Sequence, residues 1–200
     1  DPIENLKSLV EAADFTNTEW NEAAIKAKAA EVLAEKTGAK VTAASVSGNT
    51  AAITLRYGYS EATATIYTPN DAAAQWTAHI ESTKLGSTTV PGSDMKYSEA
   101  PDIQKAMADG YSAIWVAKTE VDTTKALEDF KAALLKVVQD YVKFLADTVY
   151  NKGEATVIGD KSYTVSETDY NTAVTAITGA ENVAKVLNAY NTMLSAQTSK

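Results

Sequence analysis

One histidine, His79, stands alone in a chain of 200 residues. Histidine is the usual general base near neutral pH, so any Ser-His-Asp arrangement has to be built on this residue. It lies in "AAAQWTAHIESTK", one turn past Gln75 and Trp76 and next to Ile80. No G-x-S-x-G nucleophile elbow accompanies it. A single histidine is too few for a histidine-cluster metal site. The chain has no cysteine, which excludes disulfides, thiolate metal ligands, Fe–S clusters and cysteine nucleophiles. His79 therefore reads as a surface or half-buried helix residue.

Carboxylates are plentiful, and two of them across a cleft could act as acid and base in a glycosidase-like reaction. Glu99, Asp102, Asp109, Glu120 and Asp122 flank predicted element ends, where such residues serve as caps and dipole partners. The run "PGSDMKYSEAPD" gathers Ser93, Asp94, Ser98, Glu99 and Asp102, all with oxygen ligands. It lacks the Asp-x-Asp-x-Asp-Gly rhythm of a calcium loop, so no metal is assigned to it. No Walker A or G-x-G-x-x-G phosphate cradle is present, and no cofactor is expected.

The remaining chemistry is aromatic. The segment from Gly86 to Pro101 is the longest without a regular pattern, and loops of that length are uncommon unless functional or disordered. Met95 and Tyr97 within it are candidate contacts for a partner or ligand. Tyr59 and Tyr67, from the stretch "ITLRYGYSEATATIYT", are the other two. Trp20, Trp76 and Trp115 could line an aromatic pocket, but their aliphatic neighbours and spacing favour the core, Trp115 above all.

Elements must position these residues. Asp1, Pro2 and Glu4 form a helix start, followed by Ile3, Leu6, Leu9 and Val10 at helical spacing. A second helix is expected from a Thr18 cap to a stop at Gly38. A three-stranded meander spans 40–68, its turns marked by Gly48-Asn49 and Gly58-Tyr59. With Gly58-Tyr59 as the centre of a type II′ turn, Leu55, Ile53 and Ala51 face Ala62, Ala64 and Ile66 on the core side. Arg56 then faces Glu61 on the outer side, as an ion pair. A helix over 71–84 follows an Asn70 cap, and a short helix stops at Gly110. "YSAIWVAKT", apolar on both parities, predicts a strand over 111–118 covered on both faces. A long central helix runs over 123–150, with an apolar face wide enough to be buried. A hairpin over 154–165 turns at Gly159-Asp160, and two more helices cover about 166–179 and 181–197. The sum is a single α+β domain over 1–200, with about seven helices packed on a mainly antiparallel sheet.

Composition narrows the function. The net charge is −8 and all but one of the 18 basic residues are lysines, scattered along the chain. That argues against nucleic acid and against an anionic membrane surface. No apolar run reaches the ~18 residues of a membrane span. The chain opens on Asp1-Pro2 without an initiator methionine, so a processed or trimmed form is expected, with any signal peptide or anchor outside view. A bias to Ala, Thr, Asn and Lys suggests a secreted or surface-exposed bacterial protein. The expectation is a non-catalytic extracellular or cell-surface domain that binds a protein or surface polymer, or builds a surface structure. Two alternatives stand beside it. One is a carboxylate-based hydrolase with a cleft near residues 86–101. The other is a carrier with an apolar pocket between the long helix and the sheet.

Overall fold

Seven α-helices and five strands follow one another in the computed structural model, which describes residues 1–198. The fold is α+β, with a mainly antiparallel sheet. The chain divides into two compact units. The first comprises Asp1–Ala73 with Ala113–Thr124, and the second Ala74–Ser112 with Lys125–Lys200.

In the first unit α1 (Pro2–Ala12) and α2 (Glu22–Val32) pack on a sheet of β1 (Ala39–Ser47), β2 (Thr50–Tyr57) and β3 (Ser60–Tyr67), in the order β1-β2-β3. The Asp1 side chain accepts from the Ile3 amide and Pro2 opens α1, as the sequence implies. The cap of α2 is Asn21, not Thr18: its side chain accepts from the Ala24 amide at 2.9 Å. The chain is still turning at Thr18, whose amide donates to the Phe15 carbonyl.

Both glycine turns of the meander take the type II′ form. Gly48 and Gly58 have φ of 58° and 61°, whereas Asn49 and Tyr59 stay at negative φ. The register is the expected one, with Leu55 opposite Ala62, Ile53 opposite Ala64 and Ala51 opposite Ile66. Of these six, all but Ala62 are buried, against Ile3, Leu6 and Val10 of α1 and Ile25 and Ala29 of α2. Each large aliphatic side chain so buried contributes roughly 1.5–3 kcal/mol. Arg56 does sit opposite Glu61, but the expected ion pair is not made. The Arg56 Nε–H instead donates to the Gly58 carbonyl at 3.3 Å, because the tight turn leaves that carbonyl within reach of the side chain.

The second unit holds the buried stripe of α5 (Glu120–Val149): Leu127, Phe130, Leu134, Val138, Val142, Ala146 and Val149. The stripe keeps strict 3–4 spacing, and Phe144, expected on a wide apolar face, is 63% exposed. The hairpin β4 (Ala155–Ile158) and β5 (Lys161–Thr164) turns at Gly159-Asp160, and α6 (Glu167–Thr178) and α7 (Val183–Thr198) follow. Ser166 caps α6 and Gly179 ends it, as expected.

The strand predicted over 111–118 does not exist. Residues 101–116 form one helix, α4 (Pro101–Val116), which passes through Gly110. Gly110 is not a stop but a contact point. A Cβ there would lie 2.3 Å from Cδ2 of Phe130, so only glycine admits the α5 ring this close. Ile103, Gly110 and Ile114 are all buried and share a helical stripe, whereas Tyr111, Ser112 and Ala113 are exposed.

Candidate functional site

The 86–101 segment is folded rather than slack. The Val90 amide donates to Met95 O at 2.8 Å, Tyr97 N to Thr88 O at 3.1 Å and Ser98 N to Leu85 O at 3.0 Å. Leu85, Val90 and Ala100 anchor it in the core. Tyr97 does so too. It is 1% exposed, so this residue, expected as a surface contact, is a core residue. The ring meets Tyr141 edge-on, with centroids 6.2 Å apart. Met95 is half-buried. The tip of the segment docks on the second hairpin. A Cβ on Gly92 would strike Ile158, and one on Gly159 would lie 3.0 Å from Gly92 Cα. The cleft between them has a volume of about 420 Å³ and is lined by Ser93, Asp94, Asp160, Lys161 and Tyr163 among others.

His79, on α3 (Asn70–Thr83), packs on the Phe130 ring, with centroids 5.9 Å apart. Burial lowers its pKa below the ordinary 6.5, the Lys131 charge adds to that, and Glu128 opposes it. No group of three or more metal-ligating side chains occurs among the described residues. None of the helices described is long and apolar enough to cross a membrane.

The tryptophans, at least two of which are expected in the core, are all half-buried, and Trp20 packs against the core of the first unit. Indole is large and carries a donor that seeks a partner, so it settles at the edge of a core. Trp76 Nε1–H donates to the Met107 carbonyl at 3.2 Å, and its ring lies 4.9 Å from Tyr111. Trp20 and Trp115 have a different setting. With Phe15 and Tyr67 they line an open groove of about 690 Å³ in the first unit. That volume is within the usual range for ligand sites, ≈ 300–1,000 Å³.

Three separate segments build the groove. Glu11 to Thr16 and Trp20 come from the end of α1 and the turn after it, Thr65 to Pro69 from the end of β3, and Trp115 to Lys118 from the end of α4. Trp20 is fixed by its Nε1–H, which donates to Gly48 O of the β1–β2 turn at 2.8 Å. Glu11 reaches β3, its Oε1 accepting from the Thr65 amide at 3.0 Å. Asp14 Oδ1 accepts from both the amide and the hydroxyl of Thr16, at 2.8 and 2.5 Å. Those bonds hold the Asp14 carboxyl below its ordinary pKa against a small opposing effect of burial, and the Lys118 and Lys28 charges help. Asp14 is thus an ionised acceptor at neutral pH and a poor proton donor.

Of the four contacts expected from sequence, only Tyr67 lines this groove. Tyr59 stands at the opposite end of β3, 102% exposed at the turn tip. The sequence raises an aromatic pocket but points Trp20 and Trp115 to the core, and no local pattern singles out Glu11, Asp14, Phe15 or Lys118. Comparison with protein-family models, curated proteins and solved structures finds no significant match.

Proposed function

We propose that this chain is a non-catalytic binding domain, of the secreted or cell-surface kind, and that its ligand lies in the groove of the first unit. One observation carries the reading: Phe15, Trp20, Tyr67 and Trp115 line the same open groove. Aromatic rings at a surface offer large contact area at low conformational cost. Two of the polar groups in the groove, Glu11 and Asp14, are held in place by hydrogen bonds to the protein and need little reordering on binding. The lysine-dominated, cysteine-free composition supports the compartment.

Arrays of immobilised glycans and of immobilised peptides, probed with the full chain and with its Trp115→Ala variant, test the reading. A ligand retained by the parent and lost by the variant is the expected result. Tyr59→Ala, at the remote turn tip, should bind as the parent does. If neither array yields a ligand whose binding depends on Trp115, the reading fails.

A further inference from the structure

We infer that the groove takes an uncharged glycan, its sugar rings stacked on the groove's aromatic side chains and its hydroxyls donating to Glu11 and Asp14. The inference rests on the binding reading above and names the class of ligand. A sugar ring presents two faces of C–H groups and a rim of hydroxyls. Its recognition therefore needs flat apolar platforms with fixed acceptors beside them. The groove supplies both. Trp20, Tyr67 and Trp115 offer the rings, and the Trp20 ring is locked by its bond to Gly48 O.

The acceptors are half-used. Glu11 commits Oε1 to Thr65 and Asp14 commits Oδ1 to Thr16. Each carboxylate keeps its second oxygen, Oε2 or Oδ2, for a donor. Carboxylates accept strongly from neutral hydroxyls, and these two cannot swing away without losing their protein partners.

The same contacts argue against the obvious rival, a peptide strand added to the sheet. In the β2–β3 register Thr65 is opposite Ala52, a position whose amide and carbonyl point away from β2. That outward amide is one of those an added strand would have to pair with beside the groove. Glu11 already occupies it. Charge removes another class. The groove lining carries two carboxylates and one lysine, Lys118, with Lys28 also close enough to act on Asp14, so the groove is no cationic cradle for an anionic polymer.

The test is a titration of the full chain with cellohexaose, mannohexaose and chitohexaose, read by tryptophan fluorescence and by calorimetry. An oligogalacturonate of the same length serves as the anionic control. At least one neutral hexasaccharide should bind at one site and perturb the fluorescence. Trp115→Ala should weaken it about tenfold or more, the loss of one stacked ring. Trp115→Phe, which keeps a ring, should recover part of that, and Asp14→Asn, which keeps the Thr16 turn, should weaken it several-fold. Thermal melts establish that each variant is folded, and the Trp115→Phe variant keeps the comparison open if the alanine variant is not. Three results would overturn the inference: no neutral hexasaccharide bound at about 10 mM, binding indifferent to both Trp115 variants, or tighter binding of the galacturonate. A peptide ligand lost with Trp115, in the absence of any glycan ligand, would sink the glycan and leave the binding domain standing.

Discussion

Single residues carry the sharpest consequences of this structure. Tyr97 is 1% exposed and its hydroxyl has no hydrogen-bond partner. Burial first, then the neighbouring Tyr190 and Tyr141, push that hydroxyl well above the ordinary tyrosine range. A buried donor left unmade costs about 1–3 kcal/mol. Tyr97→Phe removes the orphan group and leaves the edge-on ring contact with Tyr141. The variant should therefore be as stable as the parent or more stable by about 1 kcal/mol in urea unfolding. A loss of more than about 1 kcal/mol would mean the hydroxyl has a partner after all. Residue identity alone does not foretell any of this. "MKYSEAP" reads as a polar loop, and what buries Tyr97 is the small hydrogen-bonded fold of the 85–100 segment around it. Arg56 teaches the converse. Its position opposite Glu61 is legible because a two-residue turn with glycine first fixes the register, but the long side chain takes the nearer turn carbonyl.

At the scale of elements, legibility follows the punctuation. Gly48-Asn49, Gly58-Tyr59 and Gly159-Asp160 each put a positive φ on the first turn residue, and all three hairpins are where the sequence sets them. The same residue type misleads at Gly110. Glycine costs a helix roughly 1 kcal/mol relative to alanine, so propensity makes it a stop and turns "YSAIWVAKT" into a strand. A short apolar run does not distinguish the two by period, and the helix continues because Gly110 admits the Phe130 ring. This makes Gly110→Ala a test of which effect wins. Propensity favours alanine, but the new Cβ would meet Phe130 Cδ2 at 2.3 Å and its Cγ at 2.7 Å. Phe130 is itself 2% exposed and has little room to yield. The variant should lose about 1–3 kcal/mol of stability, the usual range for overpacking. Combined with Phe130→Leu, it should cost less than the sum of the two single changes. Strict additivity would show that the glycine is there for another reason.

At the scale of the whole molecule, the fold gathers what the sequence scatters. The groove takes residues from 11–16, 20, 65–69 and 115–118, and of its aromatic side chains only Tyr67 is marked as a contact by the sequence alone. No local pattern links Asp14 to Lys118, since their proximity exists only after folding. Composition does make one property of the entire chain simple. With one histidine and no cysteine, His79 is the only side chain whose ordinary pKa lies between about 5 and 8. In the folded protein its pKa is below 6.5, first because the ring is buried, then because of Lys131, with Glu128 in opposition. The unfolded chain therefore binds the proton more readily. The stability owed to the neutral ring is fully present above pH 6.5 and is lost progressively as pH falls through 6.5 toward the folded value. Comparison with a variant that lacks only the imidazole isolates this contribution, because every other titrating group is common to both proteins. Thermal melts of the parent and of His79→Gln at intervals from pH 8 to pH 5 measure the effect directly. Relative to the glutamine variant, the parent should lose melting temperature as the solution becomes acidic, with the change confined to the range below about 6.5. A constant difference between the two proteins across the series would mean that the imidazole titrates alike in the folded and unfolded chain. A parent that gains on the variant in acid would mean that the charged ring is the one the fold prefers.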